Sequence, residues 1–162
     1  MSSCCAAPPE SASRGSGLCP VSGTRGVRVP LETIKALLTP AAMRHVTHAT
    51  HRFCADPGCD VVYFAEDGRI YRTADVRVKV WQKEPLGARI VCYCFGENEA
   101  DIRAEIETAG KSEAGNRVRA HIAAGRCACE VRNPRGACCL GDVAAAVRRA
   151  VESPAVENRT TV

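Results

Sequence analysis

Cysteine is concentrated in two short segments of this 162-residue chain, and this clustering constrains the fold more than any other feature of the sequence. The chain has eleven cysteines, and six of them lie in the segments 92–94 and 127–139. Thiols this close together in sequence either form disulfides or bind metal. The odd total argues against a fully paired disulfide framework.

The cellular compartment separates these two possibilities. The first residues contain neither the basic nor the apolar stretch of a secretory signal, and no segment approaches the roughly 18 apolar residues of a membrane span. We therefore expect a cytoplasmic protein without membrane insertion. Disulfides are rare in a reducing compartment, so the clustered cysteines are better explained as metal-binding or redox thiols.

The charge balance excludes one class of partner. The net charge of +4 counts every cysteine as a neutral thiol. Four thiolates on a [2Fe–2S] cluster and three on zinc lower the total to about +1. We therefore expect no nucleic-acid binding by bulk charge. The sequence also has no catalytic Ser/His/Asp order and no phosphate-binding glycine loop, so we expect no enzymatic activity.

The residue patterns predict an α+β fold that begins with a small sheet. Residues 1–18 have the composition of a flexible leader, whose only chemistry is the pair Cys4-Cys5. Residues 19–82 predict a helix from about Leu31 and a small antiparallel sheet with one solvated face. The predicted strands cover residues 27–29, 50–53, 61–64, 69–72 and 76–81. A tight turn at Glu66-Asp67-Gly68 separates the third predicted strand from the fourth.

The second half of the chain has a helical pattern. Residues 83–89 read as a linker, and residues 90–152 as a mainly helical module that ends in a frayed tail over 153–162. The predicted helices cover residues 98–109, a stretch around Val118 and Ile122 that stops at Gly125, and a last helix capped by Gly141-Asp142, with Leu140, Val143, Val147 and Val151 on its apolar side.

The cysteines of the second half fit an iron–sulfur cluster. A [2Fe–2S] cluster needs four thiolates that converge from two sides, and Cys92 and Cys94 can face two of the four cysteines in 127–139. Counting alone leaves open which two, although neighbours such as Cys138 and Cys139 point in different directions. A Cys4 zinc site and a redox-active thiol cluster are the alternatives.

Three segments resemble the amino-terminal region of the long, CopZ-type copper chaperones, and the resemblance extends over roughly residues 19–150. It implies a zinc-binding module followed by a [2Fe–2S] module similar to bacterioferritin-associated ferredoxin. It also implies that the cluster ligands are Cys92, Cys94, Cys129 and Cys139, which leaves Cys127 and Cys138 as spare thiols. The segments are FCADPGCDVVYF (53–64), VCYCFG (91–96) and GRCACEVRNPRGACCLGD (125–142).

The zinc site that the resemblance implies is one cysteine short. Its ligands are Cys19, Cys54 and Cys59, and the family's fourth cysteine is replaced by Ser22. Structural zinc normally has four ligands. We expect that zinc is retained and that Cys4 or Cys5 from the leader supplies the fourth ligand. The alternatives are water, Asp56, Asp60, or one of His45, His48 and His51, although surface exposure is the simpler interpretation of these histidines.

The same resemblance implies a role in copper homeostasis. The long chaperones carry a further copper-transfer domain with a Met-x-Cys-x-x-Cys motif, which neither Met1 nor Met43 opens here. Copper handling would then need a separate copper-transfer protein or a copper-transporting ATPase as partner. The remaining route is Cu(I) binding at the spare thiols, since soft thiolates favour Cu(I). These spare thiols are Cys4, Cys5, Cys127 and Cys138.

The sequence thus predicts a metal-binding accessory protein of copper homeostasis. Its [2Fe–2S] cluster would transfer one electron and keep copper or a partner's metal reduced. One alternative is a ferredoxin-like redox module that docks on a partner protein without binding copper. Another is a purely structural zinc adaptor.

Overall fold

The computed structural model describes residues 17–153, which form an α+β first half (residues 17–83) and a mainly helical second half (residues 90–153). The α+β architecture predicted from the sequence is confirmed. In the described residues no helix is long and apolar enough to cross a membrane. The first half contains β1 (Val27–Val29), α1 (Leu31–Leu37), α2 (Pro40–Met43), β2 (His51–Phe53), β3 (Val61–Ala65), β4 (Ile70–Arg72) and two short 3-10 turns, Thr73–Asp75 and Trp81–Lys83.

The first half is built on a four-stranded antiparallel sheet in the order β1-β2-β3-β4. Phe53 lies opposite Val27 on one side and Tyr63 on the other, which defines the register of the β1–β2 and β2–β3 pairings. The predicted turn between β3 and β4 is present, and Gly68 adopts the positive φ of 88° that the turn requires. Four of the five predicted strands therefore form at their predicted places, and three of them have one end shifted by a residue.

The prediction of a solvated sheet face is wrong for the central strand, because every residue of β3 is buried. Val62 and Tyr63 lie in the core against α1. Val61 and Phe64 instead join a second apolar cluster that contains three cysteines. A register irregularity between Val61 and Tyr63 lets β3 serve both clusters.

The fifth predicted strand, 76–81, does not form. Val76 makes a single antiparallel bridge with Leu38, and the backbone N–H of Arg77 donates to the carbonyl oxygen of Leu37. The chain therefore follows the end of α1 and has no neighbouring strand to pair with. The helix itself is as predicted, with Ile34, Leu37 and Leu38 buried.

The second half consists of four helices around one apolar core. Asn98 caps α3 by accepting from the backbone N–H of Asp101, and Gly110 ends the helix at a φ of 72°. Gly125 follows the end of α4 with a φ of 67°, as predicted. The elements are β5 (Ile90–Cys92), β6 (Glu97–Asn98), α3 (Glu99–Ala109), α4 (Ala114–Ala123), α5 (Cys129–Arg132) and α6 (Leu140–Glu152).

The last helix differs from its prediction at both ends. It begins after Cys139, so Gly141 and Asp142 lie within its first turn instead of capping it. Val151 at the other end is 57% exposed, whereas Ala146 and Ala150 are buried. Leu140, Val143 and Val147 pack in the core as predicted, so only Val151 departs from the predicted apolar stripe.

The two halves are docked against each other, which the sequence did not predict. The hydroxyl of Tyr63 on β3 donates to the carbonyl oxygen of Pro134 at 2.8 Å, and that of Thr33 on α1 donates to the carbonyl oxygen of Glu130 at 2.5 Å. Gly136 approaches α1 so closely that a Cβ atom there would lie 2.6 Å from Thr33 Oγ1. Helix α1 of the first half thus supports the loop of the second half that carries most of its cysteines.

Further hydrogen bonds attach the segment between the halves. Tyr93 Oη accepts from the backbone N–H of Trp81 at 2.9 Å and donates to the carbonyl oxygen of Lys79 at 2.7 Å. The backbone N–H of Gly87 donates to the buried carboxylate of Glu99 at 2.8 Å. The segment predicted as a linker is therefore held at several points along its length.

Candidate metal centres

Three cysteines of the first half form one group of thiols. The Sγ atoms of Cys19, Cys54 and Cys59 all lie within 4.8 Å of one another, and each side chain is buried. Cys19 precedes β1, Cys54 directly follows β2, and Cys59 stands two residues before β3. In the described residues this is the only group of three or more Cys, His, Asp or Glu side chains close enough to share one metal ion. We call it the three-thiol site.

Local hydrogen bonds aim these thiols at one point. A tight turn holds Cys19, whose backbone N–H donates to the carbonyl oxygen of Thr24, and Gly23 closes the turn at a φ of 72°. The backbone N–H of Cys54 donates to the carbonyl oxygen of Val62 across the sheet. Asp56 organises the following loop by accepting from the backbone N–H of Gly58 at 2.8 Å.

Ser22 lies at the fourth corner of the three-thiol site. Its hydroxyl is 3.5 Å from Cys54 Sγ and also forms a hydrogen bond with the Cys19 thiol. Burial alone would raise the pKa of Cys19, but the hydrogen bonds from the Ser22 hydroxyl and from the backbone of Ser22 and Val21 outweigh it and lower this pKa to about 7. Burial raises the pKa of Cys54. One of the three thiols is thus partly ionised at neutral pH and prepared to receive a cation.

The other predicted candidates for the fourth ligand lie elsewhere. Cys4 and Cys5 are outside the described residues. The carboxylate of Asp60 forms an ion pair with Arg72, and Asp56 binds the backbone of its own loop. A serine in place of a lost cysteine was visible in the sequence, but its occupation of the corner was not.

The three histidines do not share a helix, because α2 already ends at Met43. His45 and His48 are exposed, as the simpler interpretation expects. That interpretation is wrong for His51, which is 2% exposed and lies against the ring of Tyr71 with 5.9 Å between ring centroids. Burial lowers the pKa of His51 below that of an exposed histidine.

The second half brings Cys92, Cys94, Cys129 and Cys139 together as two adjacent pairs. The Sγ atoms of Cys94 and Cys129 are 3.8 Å apart, and the thiols of Cys92 and Cys139 form a hydrogen bond with each other. The backbone N–H of Cys139 also hydrogen-bonds the Cys129 thiol, which connects the two pairs. We call this group the four-thiol site. The four cysteines stand at the end of β5, in the turn that follows it, at the start of α5 and at the start of α6.

The pairs divide their protons unequally. The hydrogen bond from Cys139 lowers the pKa of Cys92 to about 6, and the same interaction raises the pKa of Cys139. Burial raises the pKa of Cys129 to about 12. A metal bound at all four sulfurs must therefore displace protons from Cys129 and Cys139, which couples metal binding to pH.

The loop between Cys129 and Cys139 is held in shape by its own polar groups. The buried amide of Asn133 donates to the carbonyl oxygen of Ala137 at 2.7 Å and accepts from the backbone N–H of Arg135 at 3.1 Å. Arg135 in turn forms an ion pair with Asp142 at 3.0 Å. These contacts complement the hydrogen bonds from Tyr63 and Thr33, which no periodic pattern in the sequence indicates.

The two remaining cysteines of this region have different surroundings. Cys138 is exposed, and Cys127 is half-buried at the edge of the second core. Between Cys127 and Cys129, the backbone N–H of Ala128 donates to Cys94 Sγ at 3.3 Å. All nine cysteines within residues 17–153 are free thiols, which leaves each of them available for metal chemistry.

The two sites differ in the chemistry that they allow. The three-thiol site offers three sulfurs and one hydroxyl around a single point, which suits one tetrahedral or trigonal cation. The four-thiol site offers sulfurs from two segments of chain in two pairs, which suits a cluster with two metal ions.

Known proteins resemble this chain in its sequence and in its fold. Residues 16–77 match the family model of the CopZ zinc binding domain. The copper chaperone CopZ of Archaeoglobus fulgidus is 31% identical over 121 residues, which are 75% of this chain and 57% of that protein. The X-ray structure of the Archaeoglobus fulgidus CopZ N-terminal domain is similar with a TM-score of 0.65 and 28% identity, over 79% of this chain and 95% of that one. This chain thus spans little more than half the length of the relative, and its residues 16–77 are a CopZ-type zinc-binding domain.

Proposed function

We propose that this chain is a zinc- and iron–sulfur-containing accessory protein of copper homeostasis. The observation that supports the proposal is the convergence of two separate groups of thiols in a chain whose first half is a CopZ-type zinc-binding domain. The similarity to a copper chaperone supports the connection with copper.

In this proposal the three-thiol site binds zinc. The sulfurs of Cys19, Cys54 and Cys59 tie the turn before β1 to both ends of the β2–β3 connection. Such a link stabilises the fold because the ligands are far apart in an unfolded chain, so the free energy of metal binding adds to that of folding. The first half is small, and this contribution is therefore a large part of its stability.

The four-thiol site fits a [2Fe–2S] cluster by its donors. Such a cluster is held by four cysteine sulfurs and, when bound, supplies one-electron transfer. Cys92 with Cys139 would hold one iron, and Cys94 with Cys129 the other. The backbone N–H of Ala128 donates to Cys94 Sγ at 3.3 Å, which fixes the position of that sulfur. Cys94 is only half-buried, so this edge of the site lies nearest to solvent.

For copper, we propose that the chain acts together with a separate copper-transfer protein or with a copper-transporting ATPase. Thiolates are soft ligands that select Cu(I) over harder divalent ions. In the described residues, Cys127 and Cys138 are the cysteines that belong to neither site.

Metal analysis of single variants tests this function. Protein purified without oxygen should contain zinc, together with iron and sulfide in equal amounts. Cys92→Ser and Cys139→Ser should lose iron and keep zinc, whereas Cys54→Ser should lose zinc. Cys138→Ser is the matched control for Cys139→Ser and should keep both metals.

Two results would contradict the proposal. A folded and fully reconstituted sample without iron and sulfide would remove the cluster and leave a structural zinc protein. A protein that contains the cluster but does not respond to added Cu(I), either in its absorption spectrum or in a chelator competition, would instead be a redox module without a copper role.

A further inference from the structure

We propose that the three-thiol site is an exchangeable metal site that accepts either Zn(II) or Cu(I), because Ser22 places a neutral oxygen where a structural zinc site has its fourth thiolate. This inference rests on the proposed binding of metal by Cys19, Cys54 and Cys59. The new element is that Cu(I) can replace the zinc bound at this site.

The geometry defines a site with three thiol ligands and one hydroxyl, which is the weaker ligand. The three thiols are at most 6% exposed, so the protein has removed them from solvent and brought them within 4.8 Å of one another. The Ser22 hydroxyl touches two of them from the fourth side and also accepts from the backbone N–H of Thr24 at 3.3 Å. Ser22 is only half-buried, so this corner is also the one that incoming ligands reach.

The number of thiolates decides how firmly zinc is held. Zinc is bound tetrahedrally by four protein ligands in structural sites, whereas three protein ligands and an open or water-filled position are typical of sites that exchange their fourth ligand. A serine hydroxyl is neutral at ordinary pH, so three thiolates carry all of the negative charge that holds the metal. Zinc is therefore bound less tightly here than by four thiolates.

Cu(I) does not depend on the fourth corner. It is a soft monovalent ion that prefers thiolate sulfur, and three converging sulfurs satisfy it without an oxygen ligand. A site with three thiolates and Cu(I) carries a charge of about −2, one unit more negative than with zinc. Two cations lie close enough to balance it: the charge of Lys83 acts on Cys54, and that of Arg72 acts on Cys59.

The exchange requires no redox step. The three bonds from sulfur to zinc are replaced by bonds from the same sulfurs to Cu(I), which arrives already reduced from a thiol or chelator. Zinc leaves as the hydrated ion. The cysteines remain thiolates throughout, so neither electrons nor cysteine protons are transferred.

Competition between the two metals on full-length protein tests the inference. The protein is loaded with zinc and titrated without oxygen with the Cu(I) complex of bicinchoninate, while a colorimetric indicator measures released zinc. The titration uses a background in which all four spare thiols are replaced by serine, so that copper cannot bind them. These residues are Cys4, Cys5, Cys127 and Cys138. We expect one zinc released for each Cu(I) bound, and X-ray absorption should show copper surrounded by three sulfurs.

The variant Ser22→Cys restores a fourth thiolate and should hold zinc more firmly. Removal of a residue that only hydrogen-bonds a metal ligand already changes metal affinity about 10- to 100-fold. Replacement of a residue that contacts the metal directly should therefore raise the Cu(I) concentration that releases half of the zinc by at least about tenfold. Ser22→Ala removes the hydroxyl without adding a thiolate and should release zinc at least as readily as the parent. Ser112→Cys adds a thiol far along the chain and controls for simple buffering of copper.

The outcomes separate this inference from the function on which it rests. If the parent and Ser22→Cys release zinc at the same Cu(I) concentration, or if Cu(I) binds while zinc remains, the inference is overturned and zinc binding stands. If the parent binds no zinc before the titration, the proposed function of the site fails as well.

Discussion

Removal of the Tyr63 hydroxyl should loosen the cysteine loop of the second half, although Tyr63 belongs to the first. This side chain is fully buried, and its hydroxyl donates to the carbonyl oxygen of Pro134 at 2.8 Å. Tyr63→Phe leaves that buried carbonyl without a partner, which costs about 1–3 kcal/mol. The lost hydrogen bond lies at the contact between the halves, so we expect the cost to appear mainly as local opening of the loop.

The thiols of the loop report this opening. In metal-free protein, Cys129 and Cys139 react with a thiol reagent only when the loop opens, whereas Cys54 reacts when the first half unfolds. A cost of about 1–3 kcal/mol corresponds to about 5- to 150-fold faster labelling through local opening. Mass spectrometry of labelled peptides from Tyr63→Phe should show this increase at Cys129 and Cys139, with a smaller change at Cys54.

Tyr71→Phe provides the matched control. Tyr71 is also buried on the sheet, but its hydroxyl donates to the carbonyl oxygen of His45 within the first half, at 3.1 Å. This variant should lose a similar free energy of unfolding in urea without preferential labelling of the loop thiols. Equal labelling patterns in the two variants, or unchanged labelling in Tyr63→Phe, would refute the argument that the first half supports the loop.

Three further changes test other contacts. Gly136→Ala and Gly110→Ala should both lose about 1–2 kcal/mol of unfolding free energy, because each glycine has a left-handed backbone. Only position 136 faces a neighbouring helix within contact distance, so Gly136→Ala should lose about 1–3 kcal/mol more in urea unfolding. Equal losses in the two variants would contradict the close contact. Arg117→Ala leaves the carboxylate of Glu97, 8% exposed, without its two hydrogen bonds of 2.8 Å. Since the guanidinium is partly solvated, we expect a loss of about 1–2 kcal/mol, and a stability equal to that of the parent would show that the pair contributes nothing. Burial lowers the pKa of His51, so the unfolded chain takes up a proton that the folded chain does not. Stability should therefore be complete above about pH 6.5 and fall as the pH drops through the folded pKa. The urea stability of metal-free His51→Gln should depend less on pH between about 5.5 and 7.5 than that of the parent, and an unchanged slope would assign it to other groups.

Elements with a local cause could be predicted from the sequence. The apolar spacing of α1 and the glycine after α4 act within a few residues, and they appear where the patterns indicated. The same is true of the hairpin of β3 and β4, which are joined by the predicted turn at Gly68.

Features that depend on distant contacts could not be predicted in this way. Residues 76–81 have a strand-like pattern, but the end of α1 takes the place of a neighbouring strand. Burial of His51 depends on the ring of Tyr71, twenty residues further along the chain. The contact of Tyr63 with Pro134 joins residues that are 71 positions apart, and no periodicity carries such information.

The candidate sites show the same division. Spacing left the choice among the cysteines of 127–139 open. The resemblance implied the set of Cys92, Cys94, Cys129 and Cys139, and the fold brings these four thiols together as two adjacent pairs. For the three-thiol site the sequence indicated that a ligand was missing. It could not show that Ser22 stays in the vacated corner, because that depends on a turn closed by hydrogen bonds.

The docking of the cysteine loop on α1 also bears on the order in which the chain is made. Domains fold as units and the N-terminal one folds first during synthesis, so the first half leaves the ribosome and folds before residues 129–139 emerge. The loop then packs on a surface that is already folded, where the hydroxyls of Thr33 and Tyr63 donate hydrogen bonds to the carbonyl oxygens of Glu130 and Pro134. The first half would thus act as a template that positions Cys129 and Cys139 soon after they are synthesised, which shortens the time in which these two thiols are open to oxidation.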